Sequence, residues 1–335
     1  MTGVAYATRE EVLAATDYGS VIHAKLDRLI VSKSRHIDNE LLRHFYPLTE
    51  AVTYTEYEPS WHVNEAAFWF NRDLQSVSEV TVDDDTKAAG TEYVLLPKQG
   101  PPYSRIAVDS YWNVDTVITG TWGFTNDTEP AGTLAVALTD TTGVTVDASD
   151  GSSVGVGDLL HIGNERVIVT AKTAIDTTAN LNGALTAAVN DQTVTVTDGT
   201  TVSVGEVLLV DSERMIVTDI VSNDVTVTRA YDGTTLATHT DTTDVYAYRR
   251  LTVERGATGS TAATHLVDVA ITRNVPPGPI KDWCIALVIN TIEQESSGYA
   301  KTVGTGDNQR EATGKGLTEI RLEAMRYMRA RLAVI

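Results

Sequence analysis

Apolar positions fall three or four apart early in the chain. Ile22, Leu26, Leu29, Ile30, Ile37, Leu41 and Phe45 line one face of a 3.6-residue period, which predicts a long helix over residues 20–46 closed by Pro47. Ahead of it, Thr8 with Glu11 three residues on reads as a capping box opening a short helix through Val12, Leu13 and Ala14. After Pro47 the pattern changes to alternation. Residues 51–57, 76–82, 92–96, 104–108 and 114–121 place apolar and polar side chains on opposite faces between turn residues, the grammar of an antiparallel sheet. Helical spacing returns only after Val275-Pro276-Pro277-Gly278-Pro279, with Ile280, Trp283, Cys284, Leu287, Val288 and Thr291 on one face and a last helix over 317–332.

The chain therefore reads as helix, long β region, helix, and its class as α+β. The expected architecture is a discontinuous helical bundle made by the N- and C-terminal segments, a small antiparallel sheet, and an inserted all-β domain with internal repeats. Residues 1–130 plus 273–335 form the helical core, and residues 131–272 the insertion. A length of 335 residues suits two domains at roughly 150 residues each.

Composition sharpens the boundary. Between 131 and 272 there is no Trp, Phe or Cys, and 18 acidic residues stand against seven basic ones, so this segment carries -11 of a net charge of -19. Such a protein repels nucleic acid over most of its surface. The N-terminus lacks a basic region followed by an apolar run, and no apolar stretch nears the roughly 18 residues a membrane span needs, so a soluble protein without a visible export signal is expected.

The insertion repeats itself. Asp150-Gly151, Val156-Gly157-Asp158, Leu160, Glu165-Arg166 and Ile168-Val169-Thr170 recur at one constant offset as Asp198-Gly199, Val204-Gly205-Glu206, Leu208, Glu213-Arg214 and Ile216-Val217-Thr218. A second echo, with a shorter offset of its own, matches Arg229, Gly233-Thr234-Thr235 and Ala237-Thr238-His239 with Arg255, Gly259-Ser260-Thr261 and Ala263-Thr264-His265. Within each unit a short strand, a tight polar turn (Gly163-Asn164, Asp211-Ser212) and a longer Val/Ile strand form a hairpin.

Candidate chemistry is thin. One cysteine, Cys284, excludes an internal disulfide framework and reads as core packing. His36, Glu40 and His44 stand at i+4 spacing but lack the HExxH pattern of a zinc helix, and read as a solvated face. Asp83, Asp84 and Asp85 read as a hairpin turn, because the glycine and closing glutamate of a calcium loop are missing. His239 and His265 occupy equivalent turns, which duplication explains without a ligand. Residues 151–157 lack the lysine of a phosphate loop. Trp61, Trp69, Trp112 and Trp122 with Phe68, Phe70 and Phe124 suit a core. No catalytic residue, metal site or cofactor follows from these patterns, and no enzymatic activity is expected.

The C-terminal stretch differs from the rest. Residues 296–316 form a polar, glycine-rich loop, and the helix after it carries Arg321, Arg326, Arg329 and Arg331 among Tyr327, Met328, Leu332, Val334 and Ile335.

Several motifs resemble the head-to-tail connector, or adaptor, proteins of long-tailed bacteriophages. They are Thr8-Arg9-Glu10-Glu11-Val12 leading into the long helix, Tyr93 to Leu96 with Gly100-Pro101-Pro102-Tyr103-Ser104-Arg105-Ile106, and Ile118-Thr119-Gly120-Thr121-Trp122-Gly123-Phe124. Pro276-Pro277-Gly278-Pro279-Ile280-Lys281 and the repeat style of Val207 to Val217 complete the set. These are scaffold motifs, and the β insertion departs from the simplest members, which are small helical bundles. The resemblance implies a homo-oligomeric ring, typically twelve-fold, between the portal protein and the next neck or tail-terminator protein. Double-stranded DNA would pass through without specific binding. It places the protein in the virion neck, and in host cytoplasm during assembly. Ile22, Leu26, Leu29, Ile37 and Leu41 are then the expected ring-packing face, and Arg326, Arg329, Arg331, Leu332 and Ile335 the expected portal-docking group. The competing reading is a carbohydrate-binding β module, an adhesin, for which the insertion offers only Tyr231, Tyr246 and Tyr248 as stacking platforms.

Overall fold

The computed structural model describes residues 3–16, 23–55, 67–108, 115–296, 298, 302–303, 310–311 and 315–333. It is mixed α+β and mostly β, with two antiparallel sheets of six and ten strands and four helices, besides a two-residue pairing of Thr302–Val303 with Arg310–Glu311. Two compact units form. The first contains residues 1–31, 129–257 and 261–273; the second contains 32–128, 258–260 and 274–335. The segment 1–31 thus belongs with the β unit, whereas periodicity alone assigns it to the helical ends.

The second unit holds β1 (Leu48–Tyr54), β2 (Ala67–Val82), β3 (Asp85–Thr86), β4 (Tyr93–Leu96), β5 (Tyr103–Val108) and β6 (Thr116–Trp122); each expected strand overlaps one of them, but β2 starts nine residues earlier than expected and Asp85, read as turn, opens β3. Their order is β1-β6-β2-β5-β4, with β3 paired to the end of β2. Asp83 and Asp84 make the β2–β3 turn at φ 53° and 62°, the paired left-handed geometry a two-residue hairpin requires. Tyr54, Leu74, Val80, Ile106, Ile118 and Trp122 fill the core of this sheet, with the indole N–H of Trp122 donating to the Glu50 carbonyl at 3.2 Å.

Helix α1 spans Arg9–Ala14 and α2 spans His23–Leu41. The capping box forms: Thr8 Oγ1 accepts from the Glu11 amide at 3.2 Å, and the Thr8 amide donates to Glu11 Oε2 at 2.8 Å. Helix α2 ends before Pro47, because Leu42 turns left-handed at φ 54°. The Arg43 amide then returns to the Asp38 carbonyl. Helices α3 (Gly278–Ser296) and α4 (Lys315–Ala333) complete the second unit. There the Ser34 hydroxyl of α2 lies 3.6 Å from Cys284 Sγ of α3, and Glu40 pairs with Arg321 of α4.

The first unit holds β7 (Thr128–Thr133), β8 (Thr145–Asp147), β9 (Leu159–Ile162), β10 (Glu165–Asn180), β11 (Thr193–Thr195), β12 (Val207–Val210), β13 (Glu213–Val221), β14 (Asp224–Thr228), β15 (Asp244–Glu254) and β16 (Ala270–Asn274). Their order is β11-β14-β13-β12-β15-β10-β9-β16-β7, with β8 on β15. The long strand β15 does double duty. Its first half pairs with β12, Val210 facing Val245, and its second half pairs with β8, Arg250 facing Asp147. The sheet therefore contains one run of neighbours twice: β11-β14-β13-β12 and the first half of β15, then β8, the second half of β15, β10, β9 and β16.

Two hydrophobic clusters accompany the two runs. Val146, Ala148, Val154, Leu160, Ile162, Val167 and Val169 in one correspond, at the longer repeat offset, to Val194, Val196, Val202, Leu208, Val210, Met215 and Val217 in the other. Leu251, Val253 and Ile271 correspond, at the shorter offset, to Val225, Val227 and Val245.

Candidate functional site

Each hairpin of the first unit begins its long strand with a buried glutamate, and each glutamate is held in the same way. Glu213 takes both Nε and Nη2 of Arg229 at 2.7 and 2.8 Å, the amides of Ala230 and Ala237, and His239 Nε2 at 2.9 Å. Glu165 takes Nε and Nη2 of Arg255 at 2.5 and 2.8 Å, the amides of Gly256 and Ala263, and His265 Nε2 at 2.8 Å. Both glutamate side chains have no exposed surface. Burial alone would raise their pKa, but the arginine, histidine and amide donors outweigh it and hold both carboxyls down at about 2. The arginines then tie the loops shut, Arg229 to the carbonyls of Thr186, Asp191 and Ala237, and Arg255 to those of Asp140, Gly143 and Ala263. The two predicted equivalent histidines are thus not paired with each other. Each is a clamp on its own glutamate. The repeat offsets place Glu213 and Glu165 in matched positions, but they do not say which arginine each one takes.

A cleft of about 250 Å³ opens in the same unit, between α1, the start of α2 and the strands β10, β13 and β15. Its charged walls are almost fully paired. Arg9 bonds Asp27 twice, at 3.1 and 2.6 Å; Asp232 takes both His23 and Arg214; and Arg214 Nε donates to the Tyr248 hydroxyl at 2.9 Å with its guanidinium over that ring. Lys172 donates to the carbonyls of Gly151, at 2.9 Å, and Val154, and burial lowers its pKa against the pull of Glu10. Burial pushes the Tyr231 hydroxyl up to about 12. The exception is Glu10, whose Oε2 is buried without a hydrogen-bond partner. Leu13, Val156, Ala171 and Val207 supply the apolar wall.

The helix residues expected to pack a ring are divided. Leu26 and Ile37 are fully buried inside the chain, Leu29 and Leu41 are half-buried, and Ile22 lies outside the described residues. Leu26 and Ile37 thus serve the protein's own core. Of the expected docking group, Arg326 is exposed on α4; Arg329, Arg331 and Leu332 follow on the same helix; and Ile335 lies outside the described residues. Helix α4 buries only Ala324 and Met328 among its described side chains, one turn apart. His36 pairs with Glu40 at 3.4 Å, while His44 sits beyond the helix end with its Nε2 3.2 Å from the Trp122 carbonyl. Among the described residues no group of three metal-ligating side chains converges, and no helix is long and apolar enough to cross a membrane.

The chain matches no family model, no curated protein and no solved structure.

Proposed function

We propose that the protein is a structural virion component, a head–tail connector that assembles as a ring between the portal and the next neck protein, with double-stranded DNA passing through its centre. The observation that carries this reading is the meeting of helices from opposite ends of the chain: Ser34 reaches Cys284, 250 residues away, and Glu40 reaches Arg321. A helical body that joins residues 32–41 of α2 to α3 and α4 is a rigid building block, suited to packing beside copies of itself. The β unit is then a decoration built by duplication, with one copy of the hairpin module lying within the other, and its buried charges hold turns instead of performing a reaction.

The acidic balance supports the same reading. At a net charge of -19, a ring would present DNA with a surface that does not adhere to it. Helix α4, with Arg326, Arg329, Arg331 and Leu332 in its second half, together with Ile335 of the sequence beyond it, is the segment for docking on the portal.

The test is the mass and symmetry of the purified protein, alone and mixed with the portal ring of the same virus, by light scattering and electron microscopy. A closed ring, or a monomer that closes on the portal, is expected. A protein that stays monomeric under both conditions would sink the proposal. Removal of residues 317–335 with portal binding intact would sink the docking role of α4.

A further inference from the structure

One corner of the duplicated β unit carries more than the fold asks of it. At the shorter repeat offset, Ala230-Tyr231-Asp232-Gly233 corresponds to Gly256-Ala257-Thr258-Gly259. The backbone is the same in both: Ala230 and Asp232 are left-handed at φ 52° and 60°, Gly256 and Thr258 at 60° and 50°. Glycine, alanine and threonine are therefore enough to build this corner. The inner copy uses alanine where glycine is less strained, and sets Tyr231 and Asp232 on the cleft. Such departures from the easier residue gather at functional sites.

Tyr231 is half-buried, and among the described residues its hydroxyl has no hydrogen-bond partner. It lies near enough to Glu10, Asp232 and Arg9 to feel their charges. Of the three tyrosines of the insertion, Tyr231 and Tyr248 line this cleft, while Tyr246 lines a separate hollow with Ala174 and Leu209.

The walls select the class of ligand. Arg9 faces Asp27, Arg214 faces Asp232, and Lys172 feels Glu10, so three cations are balanced by three acids. A charged ligand would meet its own sign as often as the opposite one. The pairs still have bonds to give: Asp232 keeps lone pairs beyond those used by His23 and Arg214, and Arg9 keeps N–H donors beyond the two on Asp27. Hydroxyl groups, which donate and accept at once, fit such a wall. Leu13, Val156, Ala171, Val207 and the tyrosine rings offer an apolar face beside it. At about 250 Å³ the cleft is smaller than the roughly 300–1,000 Å³ of sites for drug-sized ligands, which limits the occupant to about one ring.

We propose that this cleft binds one pyranose ring of a neutral saccharide, with Tyr231 and Asp232 among its hydrogen-bonding groups. The inference does not rest on the ring reading, since a monomer carries the whole cleft.

The experiment applies the full chain to an array of neutral, sulfated and carboxylated glycans, and titrates it calorimetrically with glucose, galactose, N-acetylglucosamine and rhamnose. Neutral glycans should be retained in preference to their charged counterparts; competition by a free sugar separates a monosaccharide site from one that needs a glycan chain. Tyr231→Phe removes only a hydroxyl without a protein partner, so it should weaken binding about fivefold at unchanged melting temperature. Tyr231→Ala with Asp232→Thr, which copies the other module, should abolish binding, and Tyr246→Phe should leave it intact. A chain that retains no neutral glycan, prefers charged ones, or binds equally well with Tyr231→Phe and with the copied corner overturns the proposal. A protein that binds saccharide but never assembles overturns the ring reading alone.

Discussion

Gly163 and Asp211 hold the same left-handed corner, at φ 59° and 52°, in the two hairpins of the β unit, but only Asp211 places a carboxylate on its histidine, 2.7 Å from His239 Nδ1. His239 therefore sits between two acids, Asp211 and Glu213, while His265 meets Glu165 alone. Gly163→Asp should transfer the extra bond, because an aspartate already accepts this backbone one module away. A gain of about 1 kcal/mol is expected, and a similar loss for Asp211→Gly, read from urea midpoints.

The two buried glutamates should prove indispensable and local. Glu213→Gln leaves the Arg229 guanidinium without its counter-charge, at a cost of about 3–5 kcal/mol. Hydrogen exchange should rise around β11 to β14 and leave β9 and β16 protected. Glu165→Gln should do the reverse, since the apolar residues that follow each glutamate, Val167 and Val169 after one, Met215 and Val217 after the other, fall in separate hydrophobic clusters.

Acid stability follows from four groups of this unit. Glu165 and Glu213 fall from 4.5 to about 2 on folding, so their contribution is complete above pH 4.5 and is lost as pH drops toward 2. Between pH 4 and 6.5 two others oppose each other. Burial raises Asp158 to about 6, which favours the fold as pH falls, and lowers His161 to about 4, which disfavours it over nearly the same window. Stability should be level from pH 7 to 4.5 and drop steeply below. Urea midpoints across pH 2.5–7 check this, and Asp158→Asn should unmask the histidine as a decline that begins near pH 6.5.

Leu42 is a large side chain in a backbone region that favours glycine, and it is 81% exposed. Leu42→Gly should raise stability by about 1 kcal/mol, visible as a higher melting temperature.

Much of the local structure was legible because periodicity and turn chemistry are local. The Thr8–Glu11 cap, the Asp83-Asp84 corner, the strands of the small sheet and the hairpins at Gly163 and Asp211 all follow from residues within a few positions of one another. Pairing is not local. The two repeat offsets could not reveal that β15 serves both modules, or that Glu165 takes Arg255 while Glu213 takes Arg229. The stop of α2 at Leu42 was hidden for a related reason: a leucine announces no left-handed turn, and Pro47 was the nearer signal. Nor did periodicity show that residues 1–31 cluster with the β unit. A hydrogen bond from the Ala5 amide to the Gly157 carbonyl, 2.8 Å, is part of what holds them there, and it joins backbone groups 152 residues apart that no local spacing connects.

The placement of one module inside the other also sets a timetable. Glu213 and Arg229 are 16 residues apart in the chain, and Glu165 and Arg255 are 90 apart. Closing the longer loop costs about 1.5 kcal/mol more in chain entropy. A ribosome releases all of the inner module before the second half of β15 emerges. The inner hairpins can mature first and bring the outer strands to each other, so a slow step in the inner module would delay the whole unit.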